Sequence, residues 1–260
     1  MEILTYIFVF FFGLIVGSFL NCVIYRLEEG KSFLKGRSFC PDCKHTLSWQ
    51  DLIPLLSFLI LKGKCRYCKK PISIQYPLVE LATGILFILI LNFSTRPGGV
   101  ILFVVSCFLI IIFVYDLKHY IIPDKIIYPV IIVSGIWYFV SGIFLNLYTK
   151  YEILNTIYSA FGAAAFFLAI VLVSRGKWMG VGDIKLAFLM GLILGFPNIL
   201  AALFLAFLIG AIIGVGLIAA QKKTFKSEVP FGPFLVTGTF IALFWGENII
   251  NWYLNFFNVQ

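Results

Sequence analysis

Two aspartates at the ends of apolar segments are the residues best suited to carry out chemistry. Asp183 lies in the segment GVGDIK (residues 180–185), directly after two glycines and at the start of an apolar run. Asp116 ends another apolar run and opens the segment DLKHYIIPD (residues 116–124). Two carboxylates that meet in a low-dielectric site share one proton, because both cannot readily ionise. The ionised acid can accept a proton from water while the protonated acid polarises a carbonyl, so the pair predicts peptide-bond hydrolysis.

The residues around Asp183 are expected to support this site. Gly180 and Gly182 have no side chain, so a substrate backbone can approach the segment closely, and we expect an extended peptide to lie against it. Lys185 is expected to support the same loop and to extend its ammonium group to the membrane interface. Asp124 follows Pro123 and lies directly before Lys125 and another apolar run, so it is interpreted as a structural helix cap and not as a third acid of the site.

Four cysteines form two C-x-x-C pairs in the longest polar part of the chain. Cys40 and Cys43 form the first pair, and Cys65 and Cys68 form the second after 21 intervening residues. This pattern fits a structural zinc site with four thiolate ligands. The alternative is two disulfides, which are rare in the cytoplasm, where the charge pattern places this loop. A closed four-cysteine site leaves no position for substrate, so the zinc is predicted to fold the loop and not to catalyse.

The composition identifies the elements that must position these residues. The chain is 61% hydrophobic and 12% charged with a mean hydropathy of +1.02, which is typical of an all-α polytopic membrane protein. Eight apolar runs are candidate spans: residues 3–25, 78–93, 100–115, 126–147, 154–173, 184–196, 199–220 and 234–253. Fusing the sixth of these runs with the seventh through Pro197 would give seven spans instead of eight.

The positive charge follows the predicted topology. With eight spans, one side of the membrane receives all of the 20 Lys and Arg residues except Arg96 and Lys150. That side is therefore predicted to be cytoplasmic, with both chain ends outside. The net charge of +8 thus reflects topology and excludes nucleic acid as the expected partner. The first span has Glu2 and no basic residue before it, so it is expected to be a retained anchor and not a cleaved signal.

The spans also predict a domain division and a depth for the two acids. Residues 1–25 are expected to form the first transmembrane helix, residues 26–77 a cytoplasmic zinc-binding loop domain, and residues 78–253 a transmembrane peptidase core. Asp183 and Asp116 lie about 21 Å and about 24 Å from the outer ends of their spans, against a hydrocarbon core of about 30 Å. Both acids are therefore expected several ångströms inside the cytoplasmic boundary.

Two further polar residues lie near the cytoplasmic ends of the first two spans. Asn21 is interpreted either as a hydrogen bond between helices or as a site residue. Glu80 is interpreted either as an acid favoured by the helix dipole in a first turn or as a functional group at membrane depth. Each is therefore a candidate site residue.

Together these motifs closely resemble the type IV prepilin peptidases, a family of G-x-G-D intramembrane aspartyl proteases in the bacterial inner membrane. The resemblance covers nearly the whole chain, and the two catalytic aspartates of the family correspond to Asp116 and Asp183. Two departures lie away from the acids: Cys22 stands where an aliphatic residue is expected, and Leu27-Glu28 stands where the family often has Leu-Pro. The matching segments are residues 17–26, the paired cysteines, and residues 51–57, 76–84, 116–124, 180–185 and 230–234.

The resemblance implies cleavage of a short basic leader from pilin-like precursors at the cytoplasmic face, typically after a glycine. In bifunctional members the new N-terminal residue is then methylated with S-adenosylmethionine, and Asn21 and Glu80 are the candidates for binding this cofactor. The products build type IV pili, type II secretion pseudopili or competence pili. The residues also leave open a proton-coupled transporter, in which the aspartates would relay protons, and a non-catalytic membrane scaffold built on the zinc loop.

Overall fold

The structure, a computed structural model, describes residues 2–32, 36–93, 99–143, 147–221 and 229–256. Within these ranges the chain forms helices and no β-strand, so the expected all-α architecture is confirmed. A 3-10 helix at Trp49–Leu52 lies between α1 and α2. The α-helices are α1 (Glu2–Glu28), α2 (Leu56–Ile60), α3 (Gln75–Phe93), α4 (Val100–His119), α5 (Asp124–Ile143), α6 (Lys150–Ser174), α7 (Val181–Leu194), α8 (Asn198–Ala219) and α9 (Gly232–Phe256).

Among the described residues, seven helices are long and apolar enough to cross a membrane: α1, α3, α4, α5, α6, α8 and α9. The protein is therefore a multi-pass membrane protein, in which helices satisfy their own backbone hydrogen bonds. The remaining predicted span, residues 184–196, forms α7, which has only 14 residues. At about 21 Å it is shorter than the hydrocarbon core of about 30 Å. The fused alternative does not form, because α7 ends at Leu194 and α8 begins at Asn198.

The chain divides into two compact units, residues 1–111 and residues 112–260. In the first unit α1 packs along α3. The two backbones approach so closely that a Cβ added to Gly17 would lie 2.7 Å from the Cα of Glu80. Small residues at such crossings let membrane helices pack by close van der Waals contact. The domain boundaries after residues 25 and 77 stay predictions; α1 continues to Glu28 and α3 begins at Gln75.

The short helix α7 lies at the centre of the second unit. It packs against α5, α6, α8 and α9, and its Leu186, Ala187, Leu189 and Met190 are fully buried. Its contact with α6 is especially close, since a Cβ added to Gly191 would lie 2.4 Å from an α6 backbone atom. Neighbouring helices thus surround α7, which fixes the position of its first turn and of Asp183 within that turn.

Candidate active site and four-cysteine centre

Asp183 lies in the first turn of α7, where local backbone geometry fixes its side chain. Helix α6 ends at Ser174, and Arg175 adopts a left-handed conformation with φ of 51° that turns the chain away from the helix axis. Helix α7 then begins directly after Gly180, whose amide donates a hydrogen bond to Asp183 Oδ2 at 3.1 Å. In a capping box, an acid at this position accepts a hydrogen bond from the backbone amide of the residue that precedes the helix. This hydrogen bond holds the carboxylate in place, and the residue is only 9% exposed.

Asp116 lies in the last turn of α4 and is 4% exposed. Its Oδ2 accepts a hydrogen bond of 3.0 Å from the backbone amide of Gly232, the first residue of α9. A Cβ added to Gly232 would lie 2.5 Å from that oxygen, closer than two nonbonded heavy atoms can approach. A larger residue at position 232 would therefore have to displace the buried carboxylate that accepts this amide.

The structure brings the two predicted acids together within the second unit. Asp116 and Asp183 interact electrostatically. Gly182 packs against the side chain of Ile122, which follows α4. A Cβ added to Gly182 would lie 3.0 Å from Ile122 Cβ. The missing side chain at Gly182 thus lets the start of α7 approach the loop that follows α4. Two buried carboxylates, each fixed by a glycine amide, are chemically suited to divide one proton and to polarise a water molecule.

The contact made by Gly232 was missed in the sequence, where Pro230–Phe234 predicts only a turn before the last span. The available signal was a glycine at the first position of a helix that follows a proline-containing turn. The neighbouring Phe231 ring packs on Phe207 of α8, with ring centroids 5.0 Å apart. This aromatic contact helps to fix the turn that presents the Gly232 amide.

Lys185 connects the start of α7 to the start of α5. Its Nζ forms an ion pair with Asp124 Oδ1 and lies 4.7 Å from the centroid of the Tyr128 ring. Asp124 is the first residue of α5, and its side chain is 61% exposed. The expected support of the Asp183 loop by Lys185 stays a prediction. These contacts provide a structural basis for it, because they connect the first turn of α7 to the first turns of α5.

The four cysteines form a cluster that can hold a zinc ion. The Sγ atoms of Cys40, Cys43, Cys65 and Cys68 all lie within 4.8 Å of one another, and those of Cys40 and Cys68 are 3.9 Å apart. A tetrahedral ion with Zn–S distances of about 2.3 Å requires sulfurs about 3.8 Å apart. All four are free thiols in the structure, as zinc ligands would be before they bind the ion. Burial opposes ionisation of Cys65, but amides of Cys68 and Tyr67 outweigh it and lower the pKa of Cys65 to about 7.

The two C-x-x-C turns have the same pattern of backbone hydrogen bonds. In the first, the amide of Cys40 donates to the carbonyl of His45 at 2.9 Å. In the second, the amide of Cys65 donates to the carbonyl of Lys70 at 2.8 Å. Each turn thereby presents both of its sulfurs to one side, which is what a shared tetrahedral ion requires.

Asp51, to which no role was assigned from the sequence, connects the 3-10 helix to the second C-x-x-C turn by hydrogen bonds. Its nearly buried carboxylate accepts hydrogen bonds from Arg66 Nε at 2.7 Å, Ser48 Oγ at 2.8 Å and the Tyr67 hydroxyl at 3.2 Å. Burial alone would raise the pKa of Asp51, but the hydrogen bonds from Ser48 and Arg66 outweigh it and lower the pKa. Arg66 and Tyr67 lie between Cys65 and Cys68, so Asp51 holds the turn that carries the second cysteine pair.

Asn21 and Glu80 both lie in the first unit and both have protein partners. Asn21 Nδ2 donates to the carbonyl of Tyr76 on α3 at 3.0 Å, which is the hydrogen bond between helices that one interpretation expected. Glu80 is 7% exposed, and its Oε2 accepts the backbone amide of Leu55 at 2.8 Å. The Ser18 side chain on α1 also hydrogen-bonds Glu80. Glu80 therefore joins α1, α3 and the loop.

Two family models match the chain in succession. The bacterial peptidase A24 N-terminal domain matches residues 11–93, which include the four cysteines, Asn21 and Glu80. The type IV leader peptidase family matches residues 103–215, which include both aspartates. No solved structure matches the chain significantly.

Curated relatives named prepilin leader peptidase/N-methyltransferase match the chain almost end to end, and three examples follow. The protein of Aeromonas salmonicida (strain A449) is 34% identical over 95% of this chain and 93% of its own length. That of Bacillus subtilis (strain 168) is 34% identical over 94% of this chain and 96% of its own length. That of Pseudomonas aeruginosa is 31% identical over 94% of this chain and 91% of its own length.

Proposed function

We propose, since this chain belongs to the type IV leader peptidase family, that it is an aspartyl endopeptidase of the bacterial inner membrane. It removes the basic leader of type IV prepilins and pseudopilins at the cytoplasmic face. The observation that carries this proposal is the pair of buried acids, Asp116 and Asp183, each held by a glycine amide. No finding favours the proton-coupled transporter or the non-catalytic scaffold.

The two carboxylates divide the work of hydrolysis between them. The ionised acid takes a proton from water as the water oxygen attacks the scissile carbonyl carbon, and the protonated acid gives its proton to the carbonyl oxygen. When the resulting tetrahedral intermediate collapses, the C–N bond breaks and the leaving nitrogen takes the proton that the first acid received from water. A hydroxyl group of the intermediate gives its proton to the second acid as the carbonyl is restored. The amides of Gly180 and Gly232 keep one oxygen of each acid fixed during these transfers. The scissile peptide lies against Gly180, where an added Cβ would meet no atom closer than 3.9 Å, whereas the Ile122 side chain fills the space beside Gly182.

The chain also methylates the new N-terminal residue. S-adenosylmethionine supplies the methyl group when it is bound. Asn21 and Glu80 of the first unit are the candidate binding residues, because amide and carboxylate oxygens accept hydrogen bonds from ribose hydroxyls and ammonium groups. The zinc held by the four cysteines serves the fold of the loop between α1 and α3 and takes no part in either reaction.

Both activities are tested by mass spectrometry of a prepilin precursor incubated with the full chain in liposomes. Leader removal is expected with and without S-adenosylmethionine, and an added methyl group only with it. An uncut precursor under both conditions overturns the peptidase proposal. Cleavage without methylation would support the peptidase proposal and overturn the methyltransferase proposal.

Gly232→Ala is expected to lower the cleavage rate at least about 100-fold, the lower end of what a misplaced proton-transfer group costs. The added Cβ would lie 2.5 Å from Asp116 Oδ2 and displace the carboxylate. The matched control is Gly214→Ala on α8, where an added Cβ meets nothing within 4 Å. Initial rates of precursor cleavage at equal amounts of inserted protein provide the measurement, and equal rates for the two variants would show that the Gly232 contact is dispensable.

A further inference from the structure

The short helix α2 presents an apolar face that the described part of the protein leaves uncovered. Leu56, Leu59 and Ile60 are 50%, 70% and 67% exposed, and their spacing places them on one side of the helix. Trp49, on the 3-10 helix that packs against α2, is 73% exposed. We call these four residues the α2 patch. A cluster of large apolar side chains on a polar loop marks a contact surface.

A buried hydrogen bond fixes the depth of this patch relative to the membrane. Leu55, directly before α2, donates its backbone amide to Glu80 Oε2 at 2.8 Å. Glu80 lies in the second turn of the spanning helix α3, five residues after Gln75, or about 7.5 Å along the helix axis. The start of α2 is therefore held at the level where α3 enters the membrane. Ile74, directly before α3, is also 66% exposed at this level.

The charges that follow α2 suit an anionic lipid surface. Lys62 and Lys64 come directly after the helix, and both are exposed. Lysine side chains at this depth extend their ammonium groups to lipid phosphates while their stems stay in the apolar region. Apolar residues bordered by lysines are typical of segments that lie in the membrane interface, and such lysines are attracted to anionic lipid.

We propose that the α2 patch inserts into the headgroup region of the membrane, with Lys62 and Lys64 on anionic lipid headgroups. The loop is tethered on both sides by spanning helices, α1 and α3, so the bilayer is the surface already present at this depth. The patch and the Leu55–Glu80 hydrogen bond together hold the four-cysteine loop against the membrane instead of letting it turn freely in water. This proposal concerns the first unit alone and does not depend on the proposed peptidase activity.

Photocrosslinking in lipid nanodiscs tests the contact. The full chain is reconstituted in phosphatidylcholine containing phosphatidylglycerol, with photoreactive p-benzoylphenylalanine in place of Ile60. The matched control carries it in place of Phe58 on the same helix, whose ring lies 3.2 Å from an added Cβ on Gly63 and so faces the loop. Mass spectrometry is expected to find lipid adducts several-fold more abundant at position 60 than at position 58.

The basic residues are tested in the same sample. Adducts at position 60 are expected to be enriched in phosphatidylglycerol beyond its share of the lipid, and Lys62→Gln with Lys64→Gln is expected to remove that enrichment. Three results would overturn the proposal: no lipid adduct at position 60, equal adducts at positions 58 and 60, or an enrichment unaffected by the lysine changes. Crosslinking of position 60 to an added precursor in place of lipid would also overturn it, by assigning the patch to the substrate. An inactive peptidase leaves all of these readouts unchanged, so the two proposals fail separately.

Discussion

Asp116→Asn and Asp183→Asn are each expected to abolish precursor cleavage, with a fall of at least about 1,000-fold, while the protein still inserts into the membrane. General acid–base catalysis contributes roughly 100- to 10,000-fold, and an amide can neither accept nor supply the proton. The fold is expected to persist, because the Asn side-chain oxygen can still accept the amide hydrogen bond from Gly232 or Gly180. Initial cleavage rates in liposomes, normalised to inserted protein, provide the measurement.

Two other acids of the same unit serve as controls. Glu247→Gln, at an exposed position on α9, is expected to cleave at the unaltered rate. Asp124→Asn is expected to keep much of the activity, because this residue pairs with Lys185 and the proposed hydrolysis does not use its carboxylate. Retained cleavage in either Asp116→Asn or Asp183→Asn would remove that residue from the mechanism.

Cys40→Ser is expected to lose the bound zinc and to unfold the loop between α1 and α3. Structural zinc contributes about 10–16 kcal/mol of apparent binding free energy in zinc-finger peptides, and this binding energy also drives their folding. Loss of one of four thiolates opens a closed tetrahedral site, so the zinc content should fall from one ion per chain to nearly none. Metal analysis of the purified protein and limited proteolysis of the loop provide the measurements.

Cys107→Ser is the matched control, since this free thiol lies on α4 and outside the cluster. It is expected to keep the zinc and the protease resistance of the unaltered protein. Unaltered protein that contains no metal, or that carries its four loop cysteines as disulfides, would contradict the assignment. Unchanged zinc in Cys40→Ser would show that Cys40 is not a ligand.

Signals that lie close together in the chain determined the helices and the metal-binding turns. Apolar runs of about 20 residues predicted the spanning helices, because a bilayer leaves no other partner for their backbone groups. The spacing of Cys40 with Cys43 and of Cys65 with Cys68 predicted the cluster, since each short turn can direct two sulfurs to one ion. Asp116 and Asp183 stood out because ionisable groups are costly at membrane depth.

Contacts between distant segments were decided only by the tertiary structure. The turn before the last span marks Gly232 as a special backbone position, but it does not indicate that the Gly232 amide holds Asp116, which lies 116 positions earlier in the chain. The same is true of Leu55 and Glu80, and of Asp51 and Arg66, because each hydrogen bond forms only after separate elements have packed. Hydropathy could not decide the length of α7 either, since its ends depend on where the neighbouring helices and the Gly180 turn hold it. Sequence thus determined which groups are available for chemistry, and packing determined which backbone amides hold them in place.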